Sequence, residues 1–196
     1  MSLPVCDRPI CWIDVETTGL DPQDHDIIEF AGIREDTGRT LHMKIWPERP
    51  ENAHPQALEV TGYSIDAWEE AGAVSMADAI PQIATFLHDT ILGGQNVSFD
   101  ENFIKAAIKT YEVETRIGYH KLDTVTLALV HLRPLGIRSV SLHTVCQVLG
   151  ISNRGEHTAM ADVRRARAVY RSLLDPSPPM LEFWRRRIAD LNAQED

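Results

Sequence analysis

Ile10-Cys11-Trp12-Ile13-Asp14-Val15-Glu16-Thr17-Thr18-Gly19-Leu20-Asp21-Pro22 is the stretch on which the fold turns. Its first half is short and apolar, which suits a strand buried on both faces. Two acids interrupt it at a spacing of two, so on a strand Asp14 and Glu16 project to the same side. A solvated strand face is the plain alternative, but Trp12, Ile13 and Val15 argue against it. Acids in a buried strand need a partner, and a cation is an economical one. Thr17-Thr18-Gly19 and Asp21-Pro22 then turn the chain.

Working outward, residues 27–33 read as a second strand and 40–46 as a third, with Asp36-Thr37-Gly38 as a hairpin-like turn between them. After the proline-bearing stretch 47–55 the pattern becomes mostly helical. Residues 76–88 place Ile80, Ile83, Ala84 and Leu87 at helical spacing, with Pro81 expected in the first turn. Residues 91–97 suggest a short strand leading to Asp100. Phe99, Phe103, Ile104, Ala107, Ile108 and Tyr111 then mark one helix face. Residues 119–122 read as a last strand, followed by helices near 124–132, 141–149 and 158–174. Asp175-Pro176-Ser177-Pro178-Pro179 breaks the pattern before an end helix at 180–192. The order predicts an α/β fold: a mixed five-stranded sheet, an antiparallel meander plus parallel strands, flanked by helices.

The chain has 196 residues, 43% hydrophobic and 24% charged, which suits one folded domain with a filled core. No apolar run approaches the ~20 residues that span a bilayer, and Met1-Ser2-Leu3-Pro4 lacks a basic, apolar leader. The expectation is a cytoplasmic protein with no membrane contact. Cys6, Cys11 and Cys146 form no Cys-x-x-Cys pair, so they are expected as small buried residues with free thiols. Net charge is −10, which opposes tight non-specific binding to duplexes. Residues 1–130 hold 9 Lys/Arg against 22 Asp/Glu, a balance of −13, whereas 131–196 hold 10 against 7, a balance of +3. Bound cations among the acids would lower the negative potential further.

Two more acidic positions complete the pattern. Asp100 follows Asn96-Val97-Ser98-Phe99 at the start of a helix, where N-terminal capping is the plain alternative. His157 and Asp162 are five apart, which on one helix separates them by about 140°. They converge if His157 lies in the loop before the helix and Asp162 within its first turns. Ala159, Val163, Ala166, Val169 and Leu173 give that helix an apolar stripe that leaves the arginines mostly outside it. Four carboxylates, with one histidine among them, offer the hard oxygen ligands that suit Mg²⁺ or Mn²⁺ and two-metal phosphodiester chemistry.

Asp14-Val15-Glu16-Thr17-Thr18-Gly19-Leu20, Asn96-Val97-Ser98-Phe99-Asp100 and His157-x-x-x-x-Asp162, in that order, resemble the DEDDh 3′–5′ exonucleases. These are DnaQ-like nucleases of the ribonuclease H-like fold, and the family includes proofreading subunits of polymerases. The likeness covers roughly residues 10–174. It implies an exonuclease domain at 1–175 with a C-terminal helical extension at 176–196. It further implies two divalent cations: Asp14 bridging both, Glu16 and Asp162 completing the first site, and Asp100 serving the second. His157 would be the general base, and the product a nucleoside 5′-monophosphate. Thr17 and Thr18 match positions that approach the terminal sugar. Leu58 matches an apolar wedge against terminal bases, and Thr61 stands where some relatives carry a histidine.

The expected substrate is a single-stranded 3′ end, DNA favoured over RNA, acted on by a stand-alone nuclease, a homodimer or a polymerase subunit. An RNA exonuclease like ribonuclease T or oligoribonuclease is the close alternative. A non-catalytic binding module on the same fold is a third, although all four acids and the histidine are present. Asp123 reads as a helix cap and Phe103 as core. Phe183, Trp184, Ile188 and Leu191 either dock a partner or pack back on the domain.

Overall fold

The computed structural model describes residues 4–153 and 158–195. Along the chain run β1 (Ile10–Thr17), β2 (Ile27–Arg34), β3 (Thr40–Lys44), α1 (Pro55–Thr61), α2 (Ile65–Glu70), α3 (Met76–Leu87) and β4 (Ile91–Gly94). They are followed by α4 (Ser98–Thr110), β5 (Lys121–Asp123), α5 (Thr124–Leu132), α6 (Leu142–Leu149), α7 (Ala159–Leu173) and α8 (Pro178–Glu195). The five strands form one sheet in the order β3-β2-β1-β4-β5. Pairing is antiparallel for β1/β2 and β2/β3, and parallel for β1/β4 and β4/β5. This is the mixed sheet that the strand pattern predicts.

The alternation of β1 sorts its side chains between two cores. Cys11, Ile13 and Val15 join Phe30, Ile80, Ile83, Leu87 and Ile104 on the face covered by α3 and α4. Trp12 faces the other way, with Ala31, Ile33, Ala159, Val163 and Ala166, against α7. Asp14 and Glu16 share the parity of Trp12 and therefore emerge on the α7 side. Small residues at Ala31, Ala159 and Ala166 let α7 approach the sheet closely. Glu35, just past β2, fastens it: Arg167 donates from Nε at 2.7 Å and Nη2 at 2.8 Å, Arg171 from Nη2 at 3.1 Å, and the Trp12 indole at 2.9 Å. The paired Arg167 guanidinium holds the Glu35 carboxyl down at about 2.

Several elements depart from the sequence reading. Ser75 caps α3 through the Asp78 amide, so the helix begins at Met76 and Pro81 lies beyond its first turn. Pro81 is on the exposed side, where the carbonyl left unpaired by its missing N–H faces water. The fourth strand stops at Gly94 rather than continuing to 97, and the last strand runs Lys121–Asp123. Gly94 brings β4 against β1 so tightly that a Cβ would sit 2.9 Å from the Ile13 carbonyl oxygen. Cys11 and Cys146 are buried thiols, as expected, whereas Cys6 is exposed.

A third core joins α5, α6, α7 and α8 around Leu132, Val148, Val169, Leu173, Trp184 and Ile188. The apolar edge of α8 is thus spent against its own domain: Trp184 and Ile188 are 1% and 2% exposed, and only Phe183 is left at 46%. No described helix is long and apolar enough to cross a membrane. If α8 is integral to the fold, Trp184→Ala should lower the unfolding free energy by ~3–5 kcal/mol in urea denaturation. Phe183→Ala should cost less than about 1.5 kcal/mol. Equal small losses for both would contradict the packing of α8.

Candidate active site

Past Trp12, β1 has no partner on its β4 side, because β4 pairs only with Ile10, Cys11 and Trp12. The free amide of Val15 is taken instead by Asp100, whose Oδ1 accepts it at 2.8 Å. Asp100 is the third residue of α4 and 3% exposed, so it spans from that helix to β1 rather than capping its own helix. Asn96 enters the preceding turn at φ +56°, a left-handed conformation that asparagine tolerates. Asp123 accepts the Asn96 amide at 3.1 Å and the Val125 amide at 2.9 Å, which makes it the cap of α5 and a brace for this turn. Asp162 arrives from the opposite direction, in the first turn of α7 behind its cap Thr158.

Asp14, Glu16 and Asp162 each offer a carboxylate oxygen, and these atoms lie within 4.8 Å of one another. Crowding of this kind disfavours ionisation. Burial, then Asp100, Glu16 and Asp162, push the Asp14 carboxyl well above the usual carboxylate range. Burial and then the charges of Glu29 and Asp162 push Glu16 up to about 7. Burial lifts Asp100 to about 8, against the lowering effect of the Val15 amide. Acceptor oxygens converging on one space and short of positive charge are a fit for divalent cations.

Two charged residues that sequence reasoning passed over belong to the same site. Glu29 stands opposite Glu16 in the β1/β2 register and is fully buried. Burial alone would raise its pKa, but the bonds to His42 at 2.6 Å and Lys44 at 2.7 Å hold it below the ordinary value. An acid inside Ile27-Ile28-Glu29-Phe30 is the same signal that singled out Asp14. Arg165 is 8% exposed and donates to Asp162 Oδ1 at 2.6 Å. It therefore does not sit outside the apolar stripe with the other arginines; the acid three residues earlier holds it in.

Beside the carboxylates opens a cavity of about 590 Å³ that shares Glu16 as a wall. Thr17 and Thr61 line it, together with Gly19, Leu20, His54 and Val60. Thr17 is turned partly inward, its hydroxyl donating to the Gly19 carbonyl at 2.6 Å. Thr18 is fully buried and its hydroxyl accepts from the Asp26 amide, so it braces the cavity from beneath instead of lining it. Leu58 is half-buried and does not line the cavity; Leu20 and Val60, 83% and 59% exposed, are the apolar side chains at its lip. Phe103 is core, as read. His157 lies outside the described residues.

The family model described as Exonuclease (RNase_T) matches residues 11–170. Ribonuclease T of Shewanella oneidensis is 32% identical over 181 residues, covering 81% of this chain and 78% of that protein. A PolC-type DNA polymerase III of Thermotoga maritima is 31% identical over 162 residues, covering 81% of this chain and 11% of that protein. Among solved structures, an exonuclease I from Methylocaldum szegediense superposes with a TM-score of 0.72 at 27% identity, covering 90% of this chain and 42% of that one. The chain thus spans about a tenth of the polymerase and under half of the exonuclease I.

The crowding has a measurable sign. Glu16 and Asp100 ordinarily ionise near 4.5 and 3.8, and in the metal-free fold near about 7 and about 8. Between those limits the folded chain holds more protons than the unfolded one, so stability falls as pH rises through the window. Urea unfolding in EDTA should give a lower midpoint at about pH 8 than at about pH 5.5, and Asp100→Asn should flatten the difference. A midpoint that climbs over this interval, unchanged by the substitution, would contradict the repulsive cluster.

Proposed function

The chain belongs to the exonuclease family, and from that premise we propose that it is a metal-dependent 3′–5′ exonuclease acting on single-stranded DNA ends. The observation that carries this reading is the convergence of Asp14, Glu16 and Asp162 within 4.8 Å beside a cavity sized for a nucleoside. Asp14 would touch two divalent cations, Mg²⁺ or Mn²⁺, with Glu16 and Asp162 completing one site and Asp100 serving the other. Such ions supply positive charge that eases ionisation of a water and offsets the charge on a departing 3′ oxygen. Glu16 joins cavity and carboxylates, so a nucleoside seated there presents its phosphate to the acids. Leu20 and Val60 flank the terminal base, while Thr17 and Thr61 lie along the sugar. Thr18 and Leu58 support these walls from behind.

His157 stands immediately before Thr158, the cap of the helix that carries Asp162. We assign it the proton of the attacking water, a role suited to an imidazole whose ordinary pKa is ~6.5. Release of a nucleoside 5′-monophosphate follows when water attacks phosphorus and the chain's 3′ oxygen departs.

The DNA reading is supported by the polymerase III relative, which also keeps a polymerase partner in view. The ribonuclease T relative, matched over most of its length, favours the second reading, an RNA 3′ end. Matched 5′-labelled DNA and RNA strands with Mg²⁺ or Mn²⁺ decide between them. Both should shorten stepwise from the 3′ end, DNA faster, and EDTA should stop digestion. Inertness toward both would overturn the exonuclease reading. His157→Ala should keep Mn²⁺ binding and lose turnover by roughly 10²–10⁴-fold, and near-normal turnover would remove it from the role of base.

A further inference from the structure

The two walls of the nucleoside cavity come from different parts of the chain. Gly19, Leu20 and His25 belong to the loop between β1 and β2, and His54, Val60 and Thr61 to α1 and its approach. Thr61 is the only residue of α1 that is buried, so the helix has little core contact of its own to fix its distance from β1. A charged pair, with its carboxylate buried and its guanidinium half-buried, does that instead.

Asp26 closes the first loop and is 8% exposed. Its Oδ2 accepts the Glu48 amide at 2.9 Å and the Arg49 amide at 2.6 Å. Its Oδ1 accepts from Arg49 Nε at 3.0 Å and Nη2 at 2.8 Å. The same guanidinium donates to the His25 carbonyl at 2.8 Å and to the Gln23 carbonyl. The main chain of Asp26 is tied in turn to Thr18, its amide to the hydroxyl and its carbonyl to the Thr18 amide, each at 2.9 Å. Thr18 passes the connection on: its carbonyl accepts from His54, the residue before α1, at 2.7 Å. The end of β1, the first loop and the approach to α1 are thereby joined through one hub. Packing in the loop is tight, since a Cβ on Gly19 would meet the His25 ring at 2.1 Å.

We infer that Asp26 and Arg49 are a positioning pair for the proposed exonuclease reaction, setting the separation of the two cavity walls and so how the terminal nucleoside is held. The inference rests on the functional reading above. Neither residue belongs to the metal-binding carboxylates, so the pair acts on substrate seating and leaves cation binding alone. Three guanidinium nitrogens of Arg49 reach one carboxylate oxygen and two carbonyls, a geometry that a planar guanidinium meets and an ammonium does not.

The test compares wild type, Arg49→Lys and Asp26→Asn with single-stranded DNA and Mn²⁺, alongside calorimetric titrations with Mn²⁺ and with a nucleoside 5′-monophosphate. Arg49→Lys should raise KM roughly tenfold and weaken monophosphate binding to match, with kcat within about twofold and Mn²⁺ affinity unchanged. Asp26→Asn keeps an oxygen for the two amides and should show a smaller shift of the same kind; it decides the matter if Arg49→Lys loses its cooperative melt. A folded variant with unchanged KM and monophosphate affinity overturns the inference, as does a loss confined to kcat and Mn²⁺ affinity. Inert wild type overturns the functional reading and this inference together, whereas active wild type with unaffected variants overturns the inference alone.

Discussion

Everything about this molecule is arranged around carboxylates that repel one another. At an effective dielectric near 20, two full charges within 4.8 Å of each other repel by about 3.5 kcal/mol or more. A surface ion pair returns only ~0–1 kcal/mol, so no single neighbour on the outside of the protein offsets the cluster. Burial first and this repulsion second favour the protonated forms, which is why Asp14, Glu16 and Asp100 all sit above their ordinary range. A divalent cation would relieve the repulsion further.

Holding such groups together requires rigid elements approaching from several directions. Asp14 and Glu16 are fixed by their strand, with β2 paired along it as far as Thr17. Asp100 is fixed because it replaces a missing strand partner at Val15. Asp162 depends on α7 lying flat on the sheet, which small residues permit and the Glu35–Arg167 bonds enforce. Charge compensation is placed one step away from the acids. Lys44 neutralises Glu29 behind Glu16, His42 hydrogen-bonds the same carboxylate, and Arg165 takes one oxygen of Asp162. Positive charge thus steadies the surroundings while Asp14 and Glu16 keep their oxygens for something that arrives later.

The carboxylates were legible in the sequence because each is an acid where local pattern demands an apolar residue or a helix start. Period two put Asp14 and Glu16 on one side, and the helix start put Asp162 within reach of them. The meander and the parallel strands followed from the same patterns. What was not legible depends on contacts between distant segments. Pro81 is compatible with either helix start, and it is the Ser75 cap that decides. Arg165 looks like its neighbours until Asp162 is seen to hold it. The place of Val60 at the cavity lip, two residues from Leu58, was not legible either, because α1 is short and buries only Thr61, so its own periodicity says little about how it sits. The apolar edge of α8 could be spent on a partner or on its own domain, and only the core around Trp184 resolves it.

The central claim, that crowded and partly protonated carboxylates await divalent cations, is tested most directly by counting protons. Mn²⁺ is titrated into the metal-free protein near neutral pH by calorimetry, in two buffers whose ionisation heats differ widely. With Glu16 at about 7, Asp100 at about 8 and Asp14 raised as well, binding should expel protons, and the measured heat should change with the buffer in proportion. Heats identical in both buffers, or no binding at all, would contradict the account.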